Sequence, residues 1–594
     1  MIKKLIRQML AAQTVSALTV SVCLLIDNIM IGRFLGENAL AAYGLANPVL
    51  LIIGALGSTL CAGVQVVCSR TLGKGQQEET NQGYSTAVIA AAVISLVFLI
   101  IVISGRNGIA SLLGADSPEL LYDTGTYMTG FAIGAPASIG ALILVPFLQM
   151  AGQSNLLIAA VLGMTVADVG FDLLNALVFH GGMFGMGLAS SLSYYVAVII
   201  GGWYFFSSKC VFRFSLNRFR LQKVKELLQG GTPTIVGMAA SVVFVFVMNK
   251  ILLPTGGKIA VAAFAVANTI ISACNCISTG SGGVALTMSG VLYHEEDRTG
   301  LHMFLGILLR YSVYLGLVVT VLLMIFAPAC VSLFIPKEKE SFPIAVIAVR
   351  FMALALTPCC LNNALRSSYQ GTGRVKLMQM LCVVDNFLLP AVFSLILSRI
   401  FDLGGTWFYF VLSEVFTLAG TIFYARIKGR KVEGKAWDLL LLSKDVGVPK
   451  KDLLEADIHS MEEVLDYSRQ SEQFCKSHGQ NEKLGLHLAL CIEEMGGNIL
   501  QHGFQENKDN HLSIRLQYKN KRFILRFRDD CREFNPVQHI PEKGDEKNLG
   551  ILLALQMSDE ARYTYSMNLN NLVLEFFDIA SETVRNDVEY LDYQ

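Results

Sequence analysis

The chain has 594 residues, of which 53% are hydrophobic and only 16% are charged, and its mean hydropathy is +0.51. These values exclude a wholly water-soluble protein, so most of the chain is expected to lie in the lipid bilayer. Basic and acidic residues balance at 47 each, and no basic patch on a soluble fold indicates nucleic-acid binding.

Apolar stretches long enough to cross a bilayer follow one another through the first 430 residues, since a span needs about 20 residues. We predict twelve, near 9–31, 46–68, 84–104, 127–149, 156–179, 185–206, 232–253, 259–291, 304–334, 344–369, 375–399 and 405–427. The first stretch carries Asp27 and precedes no small-residue cleavage site, so it is interpreted as a retained span rather than a signal peptide.

The first 430 residues also contain an internal repeat with an offset of 221 positions. Residues 36–47, GENALAAYGLAN, align without gaps on residues 257–268, GKIAVAAFAVAN. Residues 1–220 (the N lobe) and 221–430 (the C lobe) therefore hold six predicted spans each. Two equivalent halves are typical of secondary transporters, which rock one half against the other around a central cavity.

Basic residues are distributed unevenly between the two sets of connections. One set, which we take to include Arg366, Arg374 and the run from Lys209 to Lys225, holds about 20 Lys and Arg, against about 6–8 in the other. The positive-inside rule then places both termini in the cytoplasm of a multi-pass protein of the cytoplasmic membrane.

After Trp437 the composition becomes polar. A basic linker (431–449) is expected to lead into a cytoplasmic domain (450–580) and an acidic tail (581–594). Within the domain we predict a helix over 483–502, strands over 512–518 and 523–528, a loop to about Lys547, a helix from Gly550 to about Asp559, and a last strand over 571–577. The predicted fold class is an all-α membrane protein with twelve transmembrane helices in two six-helix lobes, followed by an α+β sandwich.

Carboxylates inside predicted spans are functional candidates because burying a charge in lipid is costly. They are Asp27, Asp168, Asp172, Asp385 and Glu414. Asp168 and Asp172 are one helical turn apart and share a face, so both cannot comfortably ionise at once. Such a pair can bind a proton or a sodium ion and release it when the cavity becomes wet. Alternatively, these side chains face a cytoplasmic vestibule or cap a broken helix.

Several motifs in the first 430 residues resemble those of multidrug and toxic-compound extrusion (MATE) transporters. They are LIDNIMIGR at 25–33, AAYGLANP at 41–48, SRTLGKG at 69–75, FLQMAGQ at 147–153 and YQGTGR at 369–374. The resemblance implies a two-lobed bundle that exports drugs or metabolites, including cationic ones, against Na⁺ or H⁺.

The resemblance to MATE transporters also implies a cation site in the N lobe, formed by Asp27, Asp168, Asp172 and Ser190. Aspartate stands at position 168 where the family usually has asparagine, which adds a negative charge. The acidic residues that some subfamilies carry on the seventh and tenth helices are absent, which argues for the N-lobe site.

The cytoplasmic domain resembles GHKL ATPases, and most closely the anti-sigma-factor serine kinases. The motifs are CIEEMGGNILQHGF at 491–504, RDDCREFNP at 528–536 and LGILL at 549–553. The resemblance implies that Glu494 activates a hydroxyl or water, Asn498 binds Mg²⁺, Asp529 accepts a hydrogen bond from the adenine amine of ATP, and Gly550 begins the helix that receives phosphate.

Two departures affect the nucleotide site, since Cys531 and Asn548 replace glycines of the family pattern. Glycine permits positive φ and close backbone approach, so each loss is expected to weaken nucleotide binding. The alternative is a degenerate GHKL fold that binds a partner protein, such as an anti-anti-sigma-like regulator. His502 is expected to be a helix-end residue rather than a catalytic base.

The sequence as a whole predicts a Na⁺- or H⁺-coupled exporter of small molecules with a regulatory ATP-binding or kinase-like domain. One alternative is a transporter-derived membrane sensor that signals through the cytoplasmic domain. Another is a lipid-linked sugar flippase, which the MATE-like motifs disfavour.

Overall fold

The computed structural model describes residues 2–207, 210–429, 439–443, 446–505, 510–538 and 549–577. The chain forms two compact units that divide between Leu442 and Ser443. Most of the predicted linker, the end of the predicted loop near Lys547 and the predicted acidic tail lie outside the described residues.

The first unit is built of helices. In chain order they are α1 (Ile2–Met30), α2 (Glu37–Gly73), α3 (Gln77–Leu112), α4 (Pro118–Ile133), α5 (Ala135–Met150), α6 (Ser154–Leu174), α7 (Gly182–Gly202), α8 (Leu221–Cys274), α9 (Cys276–His294), α10 (Arg298–Ser332), α11 (Ser341–Ala353), α12 (Leu356–Gly371), α13 (Val375–Val383), α14 (Leu389–Ile400), α15 (Asp402–Thr406) and α16 (Tyr409–Lys428). Three short π-helical segments, Ile31–Leu35, Asn175–Phe179 and Val384–Leu388, continue α1, α6 and α13.

Each of the twelve predicted spans lies on these helices. By length and apolar composition, eight helices of the described part of the chain could cross a membrane, or ten if the bent pairs α4/α5 and α11/α12 each count as one. The count falls below twelve partly because α8 contains the seventh predicted span and the start of the eighth, joined across a break at Gly257. The α1 helix, which holds the first predicted span, is not among the eight. The helical membrane fold predicted from the sequence is confirmed.

The internal repeat is visible in the backbone. Gly36 and Gly257, 221 positions apart, have φ of 93° and 62°, and Gly152 and Gly373, also 221 apart, have φ of 73° and 82°. Glycine adopts such angles without strain because it has no Cβ to collide with the backbone. The same turns therefore end or break helices at the same places in both lobes.

The second unit is a sheet with helices packed against it. Its elements are β1 (Leu453–Ile458), α17 (Met461–Ser477), α18 (Glu482–Asn498) with the π-helical Ile499–Gly503, β2 (Leu512–Lys519), β3 (Arg522–Asp529), α19 (Leu549–Met557), β4 (Glu560–Ser566) and β5 (Leu569–Phe577). The strand order is β1-β2-β3-β5-β4, and every neighbouring pair is antiparallel.

Buried apolar residues alternate with other residues along the strands, and they form a hydrophobic core within this unit. Alternate residues of β2, β3 and β5 are fully or almost fully buried, and they pack on α17, α18 and α19: Leu512, Ile514, Leu516, Phe523, Leu525, Phe527, Leu572, Leu574 and Phe576. The predicted α+β sandwich is confirmed. The sequence prediction omitted β1, α17 and β4. The two strands are short, and α17 is mostly polar although its apolar residues do recur at helical spacing.

Candidate functional site

The four residues predicted to form the N-lobe cation site lie together, and we call them the N-lobe cluster. Asp27 is on α1, Asp168 and Asp172 are on α6, and Ser190 is on α7. The Ser190 hydroxyl donates to Asp27 Oδ2 over 3.3 Å, and Asp168 and Asp172 both face Asp27. Each of the four side chains is 5% exposed or less. The one-turn spacing on α6 therefore aims both carboxyls at the same residue of α1.

The N-lobe cluster has more carboxyl oxygens than hydrogen-bond donors. Among the described residues, one oxygen of Asp27, one of Asp168 and both of Asp172 are buried without a hydrogen-bond partner. Two unit charges 4 Å apart repel by about 4 kcal/mol at an effective dielectric constant of 20. Three buried carboxylates cannot all be ionised without a compensating cation, so the arrangement suits the binding of H⁺. Among the described residues, no group of three or more His, Cys, Asp or Glu side chains is spaced to hold a metal ion.

Tyrosines, which were not predicted from the sequence, flank the N-lobe cluster. Tyr43 and Tyr127 lie close enough to interact electrostatically with its aspartates, and their rings meet edge to face with centroids 5.2 Å apart. Tyr194 lies one helical turn after Ser190 and faces Asp168 and Asp27. That spacing on α7 was the signal available in the sequence.

A cavity of about 550 Å³ lies between the lobes. Both lobes contribute to its lining, which is mostly small or polar, with Gln13 and Gln65 from the N lobe and Thr234, Asn363 and Gln370 from the C lobe. The cavity matches the central chamber that the sequence repeat predicts for a two-lobed transporter.

A second group of buried charges lies in the C lobe. The Arg366 guanidinium on α12 donates to Asp385 Oδ2, and Asp385 lies on the π-helical segment Val384–Leu388. Glu414 on α16 accepts a hydrogen bond from Asn362 Nδ2 over 2.7 Å. The assignment of Arg366 to a connecting loop was wrong, because this residue is 8% exposed inside α12. An arginine at the edge of a predicted span, 19 residues before an intramembrane aspartate, was the overlooked signal.

One end of the bundle is closed by contacts between the lobes. Arg70 of α2 in the N lobe forms an ion pair with Glu226 of α8 in the C lobe at 2.7 Å. Within the C lobe, Gln370 Nε2 donates to the carbonyl of Gly230 in the same region of α8 over 2.8 Å. A Cβ on Gly63 or Gly231 would collide with a carbonyl of the facing helix. The α2 and α8 helices therefore touch backbone to backbone here, at the end predicted to be cytoplasmic.

The segment at the end of the membrane unit is fixed to the C lobe beside this closed end. The Tyr369 hydroxyl donates to the carbonyl of Leu439 over 2.7 Å, and the Arg374 guanidinium donates to the carbonyl of Leu441. Leu440 is fully buried. Tyr369 is the neighbour of Gln370, so α12 contacts both this segment and the closed end within two residues.

In the second unit, Asn498 and Asp529 line one cavity of about 320 Å³. Asp529 is 4% exposed, and its Oδ1 accepts hydrogen bonds from Asn570 Nδ2 (2.7 Å) and the backbone N–H of Cys531 (3.0 Å). Burial raises the pKa of the Asp529 carboxyl, and these hydrogen bonds partly offset the rise. A buried carboxylate acceptor beside an open apolar wall fits an adenine amine and ring.

Two residues complete this end of the cavity and were not predicted from the sequence. Asn570 is the second residue of β5, and its Oδ1 accepts a hydrogen bond from the Tyr563 hydroxyl over 2.6 Å. Tyr563 also lines the cavity, as does His502 from the π-helical end of α18. A pair of asparagines near the start of a mostly apolar strand was the available signal for Asn570.

Glu494 and Gly550 meet each other outside the lining of this cavity. Glu494 is exposed, and its carboxylate lies so close to Gly550 at the start of α19 that a Cβ there would collide with it. Glu494 therefore lies beside the start of α19, where the resemblance to GHKL ATPases puts phosphate and where an anion is electrostatically favourable.

The structure changes the interpretation of one family departure. Cys531 is not among the residues with positive φ, so the backbone at this position does not need the conformational freedom of glycine. The expected weakening of nucleotide binding stays a prediction. Its side chain instead packs against Gly503, where an added Cβ would lie 3.0 Å from the sulfur. Asn548 lies outside the described residues.

Comparison with known proteins gives matches for both units. Residues 13–174 and 233–396, more than half of the chain, match the MatE family, and residues 455–576 match a histidine kinase-like ATPase domain. None of the curated proteins matches the sequence.

Solved structures match the membrane unit over 72% of this chain. A crystal structure of MATE in complex with MaL6 is 20% identical, with a TM-score of 0.66 and 96% of that chain covered. The outward-facing conformation of a multidrug resistance MATE family transporter of the MOP superfamily is 20% identical, with a TM-score of 0.66 and 95% covered. A MOP superfamily transporter from Pyrococcus furiosus gives the same values. Likeness at this identity shows the fold alone.

Proposed function

Since this chain belongs to the MatE family, we propose that it is a cation-coupled antiporter that exports small organic molecules, cationic ones among them, across the cytoplasmic membrane. The observation that carries the proposal is the N-lobe cluster, whose buried carboxyl oxygens lack partners. An incoming H⁺ or Na⁺ supplies the charge that these oxygens lack.

Coupling follows from the cost of a buried negative charge. When the central cavity is wet, water solvates the ionised Asp27, Asp168 and Asp172, and a cation can enter. Binding of the cation neutralises the cluster, and the lobes can then close over it without burying uncompensated charge. Breaking the Arg70–Glu226 ion pair opens the opposite end, where cargo is exchanged.

The test is export of a fluorescent cationic dye from lipid vesicles under an imposed H⁺ or Na⁺ gradient. Wild type is expected to export dye under at least one gradient, and Asp172→Asn to lose about two orders of magnitude in rate. The matched control is Asp116→Asn, which alters an exposed aspartate of the same lobe. Export that persists unchanged in Asp172→Asn would contradict the proposal.

The second unit is proposed to regulate transport by binding ATP with Mg²⁺. Asp529 would accept the adenine amine, and Asn498 would hold Mg²⁺ near the phosphates. The segment from Leu439 to Leu442 supports regulation, because it precedes this unit in the chain and is fixed to α12 beside Gln370. Bound ATP would supply binding energy that favours one arrangement of this segment.

Regulation is tested with Tyr369→Phe, which deletes only the hydroxyl bonded to Leu439. Wild-type export is expected to change with ATP at constant ion gradient, and the variant to lose most of that response while its rate without ATP stays within about twofold. Tyr314→Phe, at an exposed position, is the control. An unchanged ATP response in Tyr369→Phe would remove the structural support for regulation.

The alternative function is a membrane sensor that signals through the second unit. The segment from Leu439 to Leu442 favours it too, because a ligand-induced shift of α12 would move this segment through the Tyr369 hydrogen bond. If neither gradient moves any tested dye while residues 443–594 bind ATP, the sensor function replaces the exporter.

A further inference from the structure

The C lobe contains a polar pocket of about 310 Å³ next to the central cavity, which we call the C-lobe pocket. Arg366, Asp385 and Glu414 line it, together with the aromatic rings of Phe244 and Tyr409. Several residues, Arg366 among them, line both this pocket and the central cavity. A small molecule in the central cavity therefore has direct access to these charges.

The charged side chains of the C-lobe pocket are paired only in part. The Nε atom of Arg366 and the Oδ1 atom of Asp385 are buried without hydrogen-bond partners among the described residues. The two residues are 8% and 4% exposed. A buried polar atom without a partner is costly, and a ligand that supplies the missing partner removes that cost.

The unpartnered atoms have opposite polarity. Arg366 offers a donor with positive charge, whereas Asp385 offers an acceptor with negative charge. Glu414 adds a second carboxyl group, which already accepts a hydrogen bond from Asn362. Phe244 and Tyr409 offer ring faces that attract cations. A purely cationic ligand would be repelled by Arg366 and would leave its Nε donor without a hydrogen-bond acceptor. A purely anionic ligand would face two carboxylates.

From this complementarity we propose that the C-lobe pocket is a binding site for a small zwitterion, a molecule that carries an ammonium and a carboxylate on one skeleton. Its carboxylate binds Arg366, and its ammonium lies between Asp385, Glu414 and the rings of Phe244 and Tyr409. The inference names a cargo class and so rests on the proposed function, but binding requires no ion gradient.

Binding is measured on the full-length chain in lipid nanodiscs by fluorescence anisotropy. The probes are a fluorescent quinolone with a piperazine ammonium and a carboxylate, its ethyl ester (cation only) and its N-acetyl derivative (anion only). The zwitterion is expected to bind at least about tenfold more tightly than either derivative.

Variants of the C-lobe pocket then assign the contacts. Arg366→Gln combined with Asp385→Asn removes both partners of the ion pair and should reduce affinity for the zwitterion to that for the ester. Glu414→Gln should weaken the zwitterion and the ester alike. The control is Arg399→Gln combined with Asp402→Asn, an exposed arginine and aspartate of the same lobe, which should change nothing. Thermal unfolding of each variant verifies folding.

Equal wild-type affinity for the three probes, or unchanged zwitterion binding in the folded double variant, would overturn the inference. Its failure is separable from failure of the proposed function. Selective zwitterion binding without gradient-driven export would support the zwitterion site and refute the antiporter function. Gradient-driven export with no preference for the zwitterion would support the antiporter function and refute the zwitterion site.

Discussion

The two lobes have the same backbone turns but differ in their buried charged residues. Among the described residues, the N lobe buries only carboxyls, whereas the C lobe buries carboxyls together with an arginine. At 221 positions of offset, the acidic residues of the N-lobe cluster correspond to apolar residues, and the charged residues of the C-lobe pocket correspond to uncharged ones: Asp27 to Met248, Asp168 to Leu389, Asp172 to Phe393, Arg366 to Val145, Asp385 to Met164 and Glu414 to Ser193. Glycine turns and helix packing therefore set the shared architecture, while a few polar residues set the chemistry of each lobe.

The consequence is a difference in what each lobe needs from outside. The N-lobe cluster contains carboxyls and a hydroxyl but no basic side chain, so under the proposed function its charge is neutralised by a cation from outside. The C lobe carries its own cation in Arg366, paired with Asp385. Removing a charge should therefore have opposite effects on stability in the two lobes.

The largest effect is expected for Arg366→Gln, which leaves Asp385 buried without its partner. Breaking a buried ion pair by removing one member costs about 3–5 kcal/mol. The thermal unfolding midpoint of the purified protein should fall strongly, and Arg366→Gln combined with Asp385→Asn should recover most of the loss. Equal destabilisation by the single and the double change would show that lost packing of Arg366 dominates.

Asp168→Asn should have a smaller effect of opposite sign. It restores the asparagine usual in the family and removes one of three mutually repelling carboxyls, which should stabilise the protein by on the order of 1 kcal/mol at neutral pH. The measurement is the same unfolding midpoint without Na⁺. A clear loss of stability would mean that Asp168 already holds a compensating cation in the resting protein.

The smallest expected effect is in the second unit, whose own core allows residues 443–594 to be studied alone. Asp529 has a raised pKa because it is buried. Its contribution to stability is therefore fully present below its ordinary pKa of about 3.9 and is lost as the pH rises through the higher folded value.

Replacing Asp529 by Asn should remove this pH dependence. The variant is expected to be more stable than wild type at pH 7. This advantage over wild type is expected to shrink as the pH falls. It should also bind ATP at least about tenfold more weakly, because a hydrogen bond to a charged acceptor is lost. Urea unfolding across the pH range and nucleotide titration measure the two effects, and parallel stability curves would contradict the assignment.

Sequence periodicity was sufficient for the helical membrane unit and for most of the second unit, from which β1, α17 and β4 were omitted. Long apolar helices, repeated glycine turns and alternating strands are each determined by neighbours close in the chain, so their pattern is visible in the sequence. The same holds for Asp168 and Asp172, whose one-turn spacing places them on one face of α6.

Features that depend on contacts between distant segments were not visible. Arg366 lies at the edge of a predicted span, and only its pairing with Asp385 across helices shows that it is buried rather than in a loop. Asn570 is likewise identified by its bond to Asp529, 41 residues earlier. The contact between Glu494 and Gly550 brings together two motifs that the sequence treats separately.

The most direct test of coupling runs the exchange in reverse. Vesicles containing the purified protein, with no ion gradient, receive an inward gradient of cargo, and internal pH and Na⁺ are followed with fluorescent indicators. The proposed function predicts that cargo entry drives H⁺ or Na⁺ out in wild type, and that Asp27→Asn abolishes this movement. Cargo entry with no ion movement in the wild-type protein would contradict the coupling role of the N-lobe cluster.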